Sequence, residues 1–296
     1  MRRREFIRAL AAGTGTALLR GQTRRTFRIG CATLAWNVSP NAIDTLELAL
    51  KDISELGYWG FETVSPMIEA LDGKGGLTPL MDRYNIPMLA AYMDADVMDI
   101  SSRRENVAKV IRVSNLVKTY GGSYVVIGVN ARVRGQAFDF SKSKVAIVSA
   151  LNEFGRAAVD SGLLAGLHPH TGTVVDKRDE VYGVMEAVNP KYMGFAPDVG
   201  QLQKGGADAA QIVKDLAPLI THVHLKDYSG GKYMAGYCPL GMGVVDIEGI
   251  LNTLEAAGRN PGIVHELDRG NAHMTARETA AFSKAYLKRL GYVFRN

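Results

Sequence analysis

From Phe27 to the C-terminus, short apolar runs alternate with longer segments of helical periodicity. The pattern predicts strands near Phe27–Thr33, Gly60–Thr63, Met88–Tyr92, Tyr124–Gly128, Leu164–His168, Met193–Asp198, His222–Lys226 and Gly262–Glu266. Helices are predicted near Ala42–Leu56, Leu77–Tyr84, Arg103–Tyr120, Lys142–Ser161, Asp179–Val188, Ala207–Leu216, Ile247–Ala257 and Ala276–Leu290. Runs that are apolar almost to their last residue suit parallel strands buried on both faces. Eight strand–helix units in a chain of 296 residues match the size of a (β/α)8 TIM barrel. A doubly wound open sheet is the alternative. It calls for a glycine-rich phosphate-binding turn after the first strand, and Gly30-Cys31-Ala32-Thr33 is not one. With no linker or break in composition, residues 27–296 read as a single barrel domain. Asn41, Ser101, Asp246 and Thr275 stand at candidate N-caps, and Gly57, Gly121, Gly162 and Gly258 where helices should stop.

Charge matters here through its location. The net charge of +5 suggests a nucleic-acid partner until it is mapped. Residues 1–28 hold eight arginines and one acid, Glu5, so the remainder of the chain carries −2. A mildly acidic body argues against a phosphate-backbone partner. The basic segment reads as a leader over residues 1–26. Arg3-Arg4-Glu5-Phe6-Ile7-Arg8 has the paired arginines, spacer and two large apolar residues of a twin-arginine export motif, and weakly apolar Ala9–Leu19 follows. The expectation is an exported protein, periplasmic or otherwise extracytoplasmic. No clean small-x-small cleavage site stands just before Arg20, so the sequence does not set the position of a cut. No run approaches the ~20 apolar residues of a membrane span. Two cysteines, Cys31 and Cys238, are too few for a disulfide framework; they read as packing residues, with one disulfide as the alternative.

The chemistry concentrates in the second half. His168-Pro-His170, Asp198, His222-Val-His224 and His265-Glu266 each follow an apolar run. From His168 through Asp198 and His224 to Glu266 the intervals are 30, 26 and 42 residues, roughly those of successive strand–helix units. A barrel carries its site at the C-terminal strand ends. Period-two alternation puts Gly166, His168 and His170 on one face of the fifth strand, and Gly194, Ala196 and Asp198 on one face of the sixth. His222, His224 and Lys226 share a face of the seventh, opposite Val223 and Leu225, and Val264, Glu266 and Asp268 share one of the eighth. Any one of these positions alone reads as a core histidine or a helix-capping carboxylate. Four on consecutive strands, all with inward parity, read as imidazole and carboxylate ligands of a divalent metal.

The same stretches resemble a known family. Leu167-His168-Pro-His170-Thr-Gly-Thr, Pro197-Asp198-Val-Gly-Gln201, His222-Val-His224-Leu-Lys226-Asp227, Pro239-Leu-Gly-Met-Gly243-Val-Val-Asp246 and Val264-His265-Glu266-Leu-Asp268 are similar to the xylose isomerase-like sugar isomerase/epimerase superfamily. That group includes ketose 3-epimerases, inosose dehydratases and 3-keto-glycoside lyases. The resemblance implies a TIM barrel with one divalent ion, Mn, Co or Mg, held by His168, Asp198, His224 and Glu266. Two positions depart from the pattern: His168 stands where epimerases carry glutamate, and Gln201 where many relatives have histidine. Epimerisation beside a carbonyl is well served by two opposed carboxylates. Glu266 as base, with His168 or His170 as partner, suits elimination better.

The expected activity is therefore proton abstraction beside a carbonyl of a keto-sugar, keto-glycoside or cyclitol, leaning to a lyase or dehydratase. An isomerase or epimerase on the same site is the alternative. From a different class, the rivals are a catalytically silent carbohydrate-binding barrel or a partner subunit of an oxidoreductase. His170, Lys226, Asp227 and Arg269 are expected to bind substrate hydroxyls at the mouth, with Glu62 after the second strand and Trp36 after the first as further contacts. Weaker candidates are Tyr92 and Asp94 after the third strand, and the glycine-rich loop Tyr228–Gly243 reads as a lid. The expected partner is a small carbohydrate or cyclitol, with no nucleic acid and no membrane span; homo-oligomerisation is left open.

Overall fold

The computed structural model describes residues 25–231, 233–268 and 274–296; the leader ahead of Arg25, and Arg269, lie outside the described residues. Eight parallel strands form one sheet: β1 Ile29–Ala32, β2 Phe61–Val64, β3 Met88–Ala95, β4 Tyr124–Val129, β5 Leu164–His168, β6 Met193–Phe195, β7 His222–Leu225 and β8 Gly262–His265. Their order, β6-β5-β4-β3-β2-β1-β8-β7, is that of a (β/α)8 barrel opened at one seam. The β6–β7 seam is nearly closed by two parallel bridges, Phe195 to Ile220 and Asp198 to His224. β6 stops short of its predicted end because Pro197 has no N–H to continue the ladder. Its carbonyl still accepts the His224 N–H at 3.0 Å.

Period-two alternation sorts the strands into two layers. Outward-facing Ile29, Phe61, Met93, Ile127, Leu167, Phe195, Val223, Leu225 and Ile263 pack with the helices into one large apolar cluster. Fully burying one such side chain contributes roughly 1.5–3 kcal/mol, so this outer layer drives folding. The inner apolar cluster is small: Ala90, Val126 and Ala196, with Leu89, Tyr92 and Tyr124 against it. A bulge opposite Phe61 and Glu62 lets both Leu89 and Ala90 face inward. Glycine makes this possible at Gly60, where a Cβ would meet Leu89 Cγ at 2.6 Å. Larger residues there would displace the side chain that plugs the barrel.

Helix ends follow local chemistry. Asp246 caps Ile247–Ala256 through the Gly249 N–H, and Thr275 caps Ala276–Arg289 in a capping box with Glu278. Asn41 and Ser101 do not cap; their helices begin after Ala42 and Ser102 without a side-chain bond. Gly57, Gly121, Gly162 and Gly258 all have positive φ. Two short helices, Ser65–Asp72 and Val199–Lys204, were not expected: neither is long enough to show a period. Cys31 and Cys238 are buried free thiols.

The expected lid takes a definite form at its base. Asp227–Tyr228 pairs antiparallel with Tyr237–Cys238. Asp227 Oδ2 accepts the Gly241 and Gly243 N–H groups at 2.9 Å each, and Oδ1 accepts those of Tyr228 and Val245 at 2.8 and 3.1 Å.

Candidate metal centre

His168, Asp198, His224 and Glu266 converge at the C-terminal ends of β5 to β8, their ligand-capable atoms within 4.8 Å of one another. All four are buried. Three of them are oriented from behind, as metal ligands are. The His168 Nδ1–H donates to the Ala196 carbonyl at 2.7 Å, which leaves Nε2 as a bare donor atom with no hydrogen-bond partner. Asp198 caps the Val199–Lys204 helix, Oδ1 accepting the Gln201 N–H at 3.0 Å. Its Oδ2 turns inward, 3.9 Å from His168 Nε2 and 3.7 Å from His170 Nε2. His224 Nδ1 lies 2.8 Å from Glu266 Oε2, while Nε2 lies 2.8 Å from Glu62 Oε1. Glu62 also reaches His222 Nε2 at 2.8 Å. Both Glu62 contacts are close but off the line of a good hydrogen bond, so they are ion-pair contacts first.

The electrostatics show a centre short of positive charge. Lys226 is fully buried, its Nζ 2.6 Å from Asp198 Oδ2, 2.8 Å from Glu266 Oε2 and 2.7 Å from Asp268 Oδ1. Burial alone would depress the lysine, but these three carboxylates outweigh it and hold the ammonium charged. Burial likewise opposes ionisation of Glu266, and His224 and Lys226 overcome it, holding the carboxyl well below its usual range. At Glu62, His224 and His222 outweigh burial and set the carboxyl at about 2. Asp198 goes the other way: burial, reinforced by Glu266, pushes it up even beside Lys226. Against the four carboxylates of Glu62, Asp198, Glu266 and Asp268 stand two cations, Lys226 and the His224 imidazole, which burial opposes but Glu266 and Glu62 hold in its charged form. Two inward imidazole nitrogens and two carboxylates fit a divalent cation, and the bare His168 Nε2 is the buried polar atom that such an ion would satisfy.

A cavity of about 150 Å³ opens beside the cluster, lined by Ala32, Thr33, Leu34, Glu62, Thr63, Val64, Tyr92, His168, His170 and Glu266. A second, of about 440 Å³, shares Tyr92 and His170 and continues past Asp94, Asp96 and Asn130. His170 therefore stands between the two. Burial first, then the Lys226 charge, lowers its imidazole to about 4.

Several expected substrate contacts sit elsewhere. Trp36 packs in the outer core and donates from Nε1 to Asp52 Oδ2 at 2.9 Å, so Leu34 walls the cavity instead. Lys226 and Asp227, expected as substrate contacts, are both buried and already engaged, one among carboxylates and the other among loop amides. Glu62 lines the cavity while pairing with two histidines. His265 faces the outer layer, against Cys31 and Tyr58. Sequence reasoning passed over Thr33 and Thr63, whose hydroxyls bond at 2.9 Å on the cavity wall. Their position at the ends of β1 and β2 was the available signal.

Comparison with known proteins gives a consistent result. A family described as "Xylose isomerase-like TIM barrel" matches residues 50–288. An inosose dehydratase from Geobacillus thermodenitrificans is 26% identical over 157 residues, 48% of this chain and 53% of that protein, so the match spans about half of its length. Inosose dehydratase 1 from Bacillus cereus is 35% identical over 218 residues, covering 68% of this chain and 71% of that protein. Among solved structures, the IOLI protein with a bound zinc atom superposes with a TM-score of 0.71 at 20% identity, over 90% of this chain and 98% of that one.

Proposed function

We propose, from the premise that this chain belongs to the xylose isomerase-like TIM-barrel family, that it is a divalent-metal-dependent sugar or cyclitol dehydratase or lyase. One observation carries the reading. Two groups able to move protons, Glu266 and His170, line the same cavity as the donor cluster. Glu266 Oε2 is engaged by His224 and Lys226, while Oε1 has no partner among the described residues. His170 Nε2 is buried without a hydrogen-bond partner.

A divalent ion held by His168, Asp198, His224 and Glu266 supplies Lewis acidity for a carbonyl oxygen. Glu266 Oε1 takes the proton from the carbon beside that carbonyl. The C–H electron pair becomes a double bond as the bond to the neighbouring oxygen breaks. His170 accepts the proton from Glu266 and hands it to the departing oxygen, so water or an alcohol leaves with no further reactant. The sequence relatives are dehydratases, which supports elimination; the IOLI likeness supports the barrel alone.

Incubating candidate inososes and 3-keto-glucosides with the enzyme in heavy water tests this. Loss of water or aglycone is expected. Deuterium exchange with inversion and no elimination would make the protein an epimerase.

A further inference from the structure

We propose that Lys226 is an internal counter-cation that competes with the divalent ion for Asp198 and Glu266. The inference rests on the metal reading above. Lys226 Nζ contacts Asp198 Oδ2 at 2.6 Å and Glu266 Oε2 at 2.8 Å. These oxygens face the imidazole donors: Asp198 Oδ2 is 3.9 Å from His168 Nε2, and Glu266 Oε2 is 2.8 Å from His224 Nδ1. An ammonium that merely oriented the ligands would sit on their outward oxygens, and on Asp198 that place is taken by the Gln201 N–H. An ion about 2.1 Å from Asp198 Oδ2 would lie within roughly 4.7 Å of Nζ at any angle. Two positive centres that close, in an interior that water does not screen, repel strongly.

The ammonium has a second resting place. Asp268 Oδ1, 2.7 Å away, belongs to a side chain that is 29% exposed and outside the donor cluster. The Tyr237 ring centre lies 5.0 Å from Nζ and offers a cation–π face. The lysine stem is also built in: at Gly200 a Cβ would meet Lys226 Cγ at 2.8 Å and Cβ at 2.9 Å, so glycine leaves the stem its room. In the metal-free protein Lys226 holds the carboxylates together. An arriving ion displaces it toward Asp268 and Tyr237, and affinity falls below what the four ligands alone would provide.

The test is a competition titration of chelator-stripped protein with Mn(II) and a metallochromic indicator. Lys226→Met keeps the stem and removes the charge. It is expected to bind at least tenfold more tightly than wild type and to melt at a lower temperature when metal-free. Asp268→Asn, which weakens the second resting place, is expected to bind more weakly than wild type. Equal or weaker binding by Lys226→Met would make the lysine a support for the ligands and overturn the proposal. Should that variant not fold, unchanged affinity in Asp268→Asn overturns it equally. If neither wild type nor either variant binds an ion, the metal centre itself fails, and the inference with it.

Discussion

Glu62 illustrates how much of this centre lies one contact behind its donor atoms. It reaches His224 from the far side of the ring and His222 beside it, both at 2.8 Å. Carboxylates in that position fix a ligand's tautomer and raise its basicity. Glu62→Gln should weaken divalent-ion affinity 10–100-fold while leaving all four donors present, as read by competition titration; unchanged affinity would detach Glu62 from the centre. The sequence exposed the donors themselves because inward parity is a matter of counting by two along a strand. It did not expose depth. Lys226 read as a substrate contact at the mouth because its carboxylate partners lie 28 and 42 residues away in the chain. Trp36 looked like a sugar platform because nothing in the local sequence shows that its N–H turns to Asp52.

At the scale of elements, all eight strands were legible, since burial on both faces leaves a near-continuous apolar run. What escaped were features set by single residues: the early end of β6 at Pro197, and the six-residue helix that Asp198 caps. That cap gives Asp198 two tasks, one per oxygen. The Tyr228–Gly243 segment read as a lid from its glycines, and its anchoring by Asp227 depended on contacts 14 to 18 residues on. Asp227→Ala leaves the Gly241, Gly243 and Val245 amides without their acceptor, at a cost of ~1–3 kcal/mol for each group left unsatisfied. At about 2 °C per kcal/mol for a domain of this size, the thermal midpoint should fall by at least ~6 °C, and limited proteolysis should cut faster within residues 228–246. A variant as stable and as resistant as wild type would mean that the hairpin holds without this carboxylate.

For the molecule as a whole, the barrel follows from repetition and the site from where the barrel puts its strand ends. An outer apolar layer large enough to fold the chain frees the inner faces of β5 to β8 for polar residues, and their charges leave a cluster short of positive charge. The central claim is that this cluster is a mononuclear divalent-metal centre. Metal analysis of protein purified without chelator, followed by titration of the stripped protein with manganese, cobalt, zinc and magnesium, tests it most directly. The account predicts about one ion per chain, with binding lost in Asp198→Asn. Protein that stays metal-free when offered each of these ions would contradict it.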